Sequence, residues 1–502
     1  MLGNAIADAF SPFPLDLCFE PPLFLRSAVT FSRVIRGLKV KLSISTPRKA
    51  GLALFFFCSG ISILWGLTLS ARAADGSSGF QAVYYGTRCL LEHHNPYQQS
   101  ELDAVYHADG GAYPKQAHSV HESITLYVNL PTTFVCLAPL ALLPYWAAHA
   151  LWMILLAALL TLAALLAYDL GAAYSPKVSL FLVCILVANA EIIFSSGNTA
   201  GIVVSLCVVA AWCFLNDRFI PAGILLLGIA LAIKPHDVGL VWLYFLLAGG
   251  AYRKRALQSL IVPIVLSVFA FFWVSHVAPH WIEDWRANLS AISAPGGINQ
   301  PGPHSVTSHS PDMIIDLQAA VSVFKDDPRV FNPLSYIVCG SLLLVWSVRS
   351  FTWSVSRPRS LLALAAVVPV TILVTYHRPY DAKLLLLTIP ACAMLWSAGG
   401  RVARIALLVS TAAIALTADI PLAILVILAA KLHVGTESIF GKFLTLVFLR
   451  PAPLALLAMA VFYVWAYVRF PHLGAGKSCT APDSAGSADR PPTGRIAALG
   501  SN

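Results

Sequence analysis

Residues 146–168 read WAAHALWMILLAALLTLAALLAY, a stretch without one Asp, Glu, Lys or Arg. A helix rises about 1.5 Å per residue, so a run of this length covers the ~30 Å of hydrocarbon in a bilayer. Blocks of the same kind recur at 51–71, 178–195, 199–216, 219–234, 237–252, 257–277, 332–348, 360–376, 381–398, 403–430 and 452–468. A further apolar stretch, 124–143, is interrupted by Pro131 and Pro139. Of 502 residues, 58% are hydrophobic and 11% charged, whereas a soluble domain carries roughly a quarter charged residues. That supply cannot build a water-facing surface. The expected fold is therefore all-α: a polytopic transmembrane helical bundle of about 11–13 spans.

The net charge of +9 would suit nucleic acid if it gathered on one face, but the basic residues sit in short links between spans, so it reads as a topology signal. Arg26, Arg33, Arg36, Lys39, Lys41, Arg48 and Lys49 place segment 1–49 in the cytoplasm. Ala71-Arg72-Ala73 resembles a cleavage site, yet the apolar run before it is too long for a signal peptide and reads as an uncleaved anchor. Arg218, Arg253-Lys254-Arg255, the segment 349–359, Arg401 and Arg404 then fall inside. Gly197-Asn198, Lys234-Pro235, His377-Arg378 and the polar loops 72–123 and 278–331 fall outside. Parity leaves an odd number of crossings between 123 and 177, so 124–143 is expected to be re-entrant.

Within the first outer loop, Phe80, Val83, Tyr84, Thr87, Leu90 and Leu91 recur at helical spacing and predict an amphipathic helix in the interface, ending at Asn95-Pro96-Tyr97. Residues 50–470 form the membrane domain, and 471–502, rich in Gly, Ser, Ala and Pro, read as a disordered tail. Ten cysteines lie mostly in apolar segments without a CxxC or zinc spacing, and no disulfide framework is expected. Histidines 93, 94, 107, 118 and 121 match no metal-ligand spacing, and no metal or other cofactor is expected.

Ionisable groups at the ends of apolar spans are costly and mark candidate sites. Lys234 closes the run Ile229-Ala230-Leu231-Ala232-Ile233-Lys234-Pro235-His236-Asp237 on the predicted outer face. It either snorkels or pairs with Asp237, or it binds an anion. Tyr376-His377-Arg378-Pro379-Tyr380-Asp381 is a second outer cluster, open to an Arg378–Asp381 pair or to a phosphate site. The first loop adds Asp75, Glu92, Glu101, Asp103, Asp109 and Glu122 as candidate general bases.

The segment Phe80 to Tyr97, with Tyr84-Tyr85, Arg88 and Asn95-Pro96-Tyr97, resembles the segment after the first span of glycosyltransferase family 87, polyprenyl-phosphate-mannose-dependent mannosyltransferases of the GT-C superfamily. Pro131 to Pro144, Ala222-Gly223 to Lys234-Pro235, and His377-Arg378-Pro379-Tyr380-Asp381 resemble further family segments in the same order, over roughly residues 50–400. The resemblance implies a GT-C fold with an outer-leaflet active site. Lys234, His377 and Arg378 would hold the lipid-linked phosphate; Tyr84, Tyr85, Arg88, Asn95, Tyr97, Asn198, Asp237 and Asp381 would line the pocket. An acidic base is expected just before Phe80, where Gly79 stands, and Asp75 is the candidate substitute. The family's Gly-Gln-x-Asn element survives only as Gly197-Asn198-Thr199.

The implied activity is hexose transfer, with mannose as the sugar, from a polyprenyl phosphate donor to an extracytoplasmic glycan or lipid acceptor at the plasma (inner) membrane. It needs neither nucleotide nor metal. The alternatives are a lipid-phosphate flippase, which would show related halves, and an inactive relative that binds the lipid.

Overall fold

The structure, a computed structural model, describes residues 46–72, 78–110, 124–303, 305, 314–352, 355–432 and 438–470. The predicted cytoplasmic segment and tail therefore lie outside the described residues, apart from 46–49, which begin the first helix. All regular elements among the described residues are helical. Among the described residues, eight helices are long and apolar enough to cross a bilayer, or nine if one bent pair counts as a span. These include Ala50–Ser70, Tyr145–Ala172, Gly250–Val277, Arg357–Val374 and Pro451–Arg469.

The difference from the expected 11–13 lies in helix length. Predicted spans 199–216 and 219–234 form Ala200–Leu215 and Ile220–Ile233, of 16 and 14 residues, about 24 and 21 Å long. The stretch 124–143 yields only Thr132–Ala141, with Pro139 inside it, about 15 Å long. That is shorter than a bilayer crossing needs. The expected span 403–430 is broken: Gly400–Leu416 and Ile420–Lys431 meet at 73°, where Pro421 restricts the residue before it.

Apolar side chains face both inward and outward, as lipid solvation permits. Every residue of Ala200–Leu215 is buried, and it packs against Tyr145–Ala172 and Ile220–Ile233. Arg357–Val374 packs against Pro451–Arg469. Gly250–Val277 and Pro328–Thr352 lie at the periphery and expose Phe269, Phe272, Ile337 and Leu344. The eight described cysteines are free.

The polar loop 72–123 forms helix Ser78–Leu91, which buries Phe80, Val83, Tyr84, Thr87 and Leu90 as its periodicity predicts. A second helix there, Gln99–Ala108, was not foreseen. The polar loop 278–331 contributes Trp281–Ser293. Asn95 Nδ2 donates to Asp284 Oδ2 at 2.7 Å, and Asn288 Nδ2 donates to the Tyr97 and Tyr127 carbonyls. The two loops thus lie on one face of the bundle.

Close helix contacts rest on small residues. A Cβ on Gly228 would lie 2.6 Å from the Ser259 carbonyl oxygen and from Val262 Cβ. Gly228→Ala is expected to lower stability by about 1–3 kcal/mol, measured as a fall in the thermal midpoint in detergent; an unchanged midpoint would mean that these helices can separate freely.

Candidate active site

Two chain breaks build the site. Helix Ile220–Ile233 stops at Lys234, whose φ of −140° and ψ of 81° are non-helical, and Pro235 opens the next helix, Pro235–Leu247. Proline at the first helical position lacks only an N–H that would be unpaired there, and it disfavours helix at the residue before it. Asp237 then sits in the first turn, where the helix dipole favours a carboxylate. The second break follows Val374. Residues 375–380 link Arg357–Val374 to a 3-10 helix, Asp381–Thr388, which continues as Ile389–Ala398.

The breaks meet. Lys234 Nζ lies 2.7 Å from Asp381 Oδ1 and 3.2 Å from Asp237 Oδ2. His377 Nε2 approaches Asp237 Oδ1 at 3.5 Å, and His236 Nε2 approaches the same oxygen at 3.2 Å. Asp237, His377 and Asp381 are each 1% exposed and Lys234 8%. The Arg378 backbone N–H donates to Asp381 Oδ2, its Nε donates to the Tyr376 hydroxyl, and an Nη donates to the Ile298 carbonyl at 2.6 Å. Loop 278–331 is thereby tied to the cluster. Burial disfavours charge on His377, but Asp237 and Asp381 outweigh it and raise its pKa.

Asp316 in the same loop caps Ala319 N at 2.8 Å, while Ile315 N donates to the His377 carbonyl. Burial pushes the Asp316 carboxyl up to about 7 against the pull of that backbone donor, His377 and Arg450. Arg450, on the other side of this contact, is pushed down to about 10 by burial and donates to the Ile314 and Gly302 carbonyls.

Residues 127–375 match the sequence model of glycosyltransferase family 87. Over that stretch the chain belongs to glycosyltransferase family 87. No curated protein and no solved structure matches it. The family 87 stretch takes in Lys234, His236 and Asp237 and ends just before the second cluster. It makes the chain a membrane glycosyltransferase in kind.

The remaining site candidates fall into separate groups. Tyr84 donates to the Leu143 carbonyl, Tyr85 donates to Asp109 Oδ2 and stacks on Tyr145, and Arg88 pairs with Glu92. Tyr97 donates to the Asn129 carbonyl and stacks on Trp281. These contacts join the first loop to its neighbours, and among the described residues none of them reaches the Lys234 cluster. Asn198 accepts from Ala200 N, and Gly197 ahead of it has a φ of +62°, a turn that glycine fits without strain. Asp75 lies outside the described residues, as do His118, His121 and Glu122.

Gly79 has a packing reason. A Cβ there would stand 2.9 Å from the Ser196 carbonyl oxygen and 3.0 Å from Asn198 Cα. Helix Ser78–Leu91 thus starts hard against the Gly197-Asn198 turn, with Phe80 stacked on Trp152, which donates to the Gly197 carbonyl. The carboxylate that family resemblance expects cannot be placed here without moving backbone.

Sequence reasoning weighed span ends and passed over charges inside spans. Glu191 and Lys383 are both buried, and neither Glu191 carboxylate oxygen has a hydrogen bond among the described residues. Lys383 is the charge that acts on Glu191. Their signal was available: Glu191 is an isolated charge in an apolar stretch, and Lys383 opens one just after Asp381. His236 was likewise left out of the site set, although it neighbours both Lys234 and Asp237.

Lys234→Met is expected to destabilise the protein by about 3–5 kcal/mol, since two buried carboxylates lose their cation. Lys234→Met combined with Asp381→Leu should recover part of that loss in a double-mutant cycle of chemical or thermal unfolding. Additive losses would show that the pair is not coupled.

Asp316 generates a pH prediction. Its folded pKa is raised above the unfolded value of about 3.9, so the stability it contributes is full below pH ~4 and is lost as pH rises through about 7. Asp316→Asn keeps the helix cap, and its unfolding midpoint should fall less than wild type's over that window. Parallel pH profiles would contradict this.

Proposed function

We propose that the chain moves a hexose, mannose by its family resemblance, from a polyprenyl phosphate donor to a glycan or lipid acceptor on the extracytoplasmic side of a cell membrane. The observation that carries the reading is the meeting of Lys234 with His377 and the Arg378 backbone around two carboxylates, from breaks far apart in the chain. A glycosyl phosphate leaves as an anion, and fixed cations beside the breaking bond stabilise that charge as it develops. Asp237 and Asp381 hold Lys234 in place for this task, and Arg378 brings loop 278–331 over the same point.

An apolar groove of about 840 Å³, lined by Ala138, Val265, Phe269 and Trp273 among others, suits a polyprenyl tail. Its helix Thr132–Ala141 begins at Thr132, whose hydroxyl donates to the Ala232 carbonyl beside Lys234. In this scheme Asp75, or another first-loop carboxylate, takes the proton of the acceptor hydroxyl.

A second reading is favoured by one observation, the crowding of Gly79 against Ser196 and Asn198: a relative that binds the lipid without turning it over. The test is incubation of purified protein with radiolabelled polyprenyl-phosphate-mannose and candidate lipid acceptors. Labelled product should form with wild type and drop by about 10²-fold or more with Asp75→Asn. Lys234→Arg, which keeps the charge, should retain more donor binding than Lys234→Ala. Donor bound without product would select the inactive relative; intact lipid crossing vesicles would select a flippase.

A further inference from the structure

The contacts of Asp237 raise a problem of protons. His377 Nδ1 lies 2.8 Å from the Thr375 carbonyl, and a carbonyl only accepts, so Nδ1 carries the hydrogen. In the neutral ring Nε2 is then a bare lone pair, and it points at a carboxylate oxygen 3.5 Å away. His236 Nε2 faces that same oxygen from 3.2 Å. Among the described residues no aligned hydrogen bond reaches His377 Nε2 or either Asp237 oxygen, although all three atoms are buried. Lys234 does not resolve this, because its shorter contact is to Asp381 at 2.7 Å and it lies near the other Asp237 oxygen.

The His377 Nε2 lone pair, the neighbouring His236 Nε2 and one carboxylate oxygen together make the donor set of a metal ion. His236 Nε2, Asp237 Oδ1 and His377 Nε2 all lie within 4.8 Å of one another. Bonds of about 2.0–2.1 Å in a tetrahedron give ligand-to-ligand edges of about 3.3–3.4 Å; the two edges to Asp237 Oδ1 are 3.2 and 3.5 Å, and the edge between the two histidine nitrogens is within 4.8 Å. The Thr375 carbonyl on His377 Nδ1 is the outer partner that fixes a ligating histidine's tautomer and orientation.

We infer that His236, Asp237 and His377 form a binding site for a divalent ion of the zinc class, three protein ligands with a fourth position open. The inference rests on the donor geometry; it shares Asp237 and His377 with the sugar-transfer reading and makes His377 a neutral ligand in place of a cation. It also changes the local charge. With neutral histidines, Lys234 and Arg378 only balance Asp237 and Asp381; a bound divalent ion leaves the cluster net positive. The open position can then take water or an oxygen of an anionic group.

The test uses full-length, tag-free protein in detergent. Metal content is measured by mass spectrometry as purified, after chelator treatment, and after titration with zinc alone. About one equivalent of zinc should bind, and cobalt(II) in its place should give the visible bands of a four-coordinate site. His236→Ala removes the ligand at the exposed rim, so folding should survive, and zinc affinity should fall by at least 10²-fold. Asp237→Asn should abolish the cobalt bands. Absence of bound zinc, or zinc held with unchanged affinity by His236→Ala, would overturn the assignment and leave a proton between His377 and Asp237.

Discussion

A charge in a low-dielectric interior must be matched on the spot, and the bond between Lys234 and Asp381 is where this protein meets that demand. Each partner stands at a chain break, since an uninterrupted apolar helix has no place for it. Pro235 interrupts one span so that Lys234 can leave the helix, and Asp381 opens the segment after the other. The ion pair thus joins two halves of the membrane domain that share no sequence neighbourhood. Asp237 and His377 complete the polar centre, and Arg378 fastens loop 278–331 across it.

Much of the fold was legible because the bilayer imposes a coarse rule of length and apolarity. The spans around 146–168, 360–376 and 452–468 follow directly from their charge-free runs. The same rule hid the shorter helices. Ala200–Leu215 satisfies its backbone and buries every side chain among other helices, so it needs no particular length, and composition cannot distinguish it from a full crossing. The bend at 417–419 was hidden for a related reason: Thr417 and Asp419 are small interruptions in an apolar stretch that reads as continuous.

The site was legible as cations and obscure in its balance. Lys234, His377 and Arg378 stand out because a bilayer does not tolerate them idly, and the carboxylates three or four positions away are visible too. Which carboxylate answers which cation is a three-dimensional fact: Lys234 reaches past its helix neighbour Asp237 to the more distant Asp381. Gly79 shows the same limit in reverse. In sequence it reads as a missing acid, while in space it is the only kind of residue that lets the first-loop helix rest on the Gly197-Asn198 turn. Glu191 and Lys383 were readable by the criterion applied to the span ends, had it been carried into the span interiors.

The segment Asp381–Thr388 is wound as a 3-10 helix for eight residues, where such runs rarely exceed three or four. At about 2.0 Å per residue it reaches roughly 4 Å further than the same residues would in an α-helix. The Lys234 contact thus sits at the leading end of a segment that spans more length than the same residues would in an α-helix, which is how Asp381 comes to stand beside Lys234.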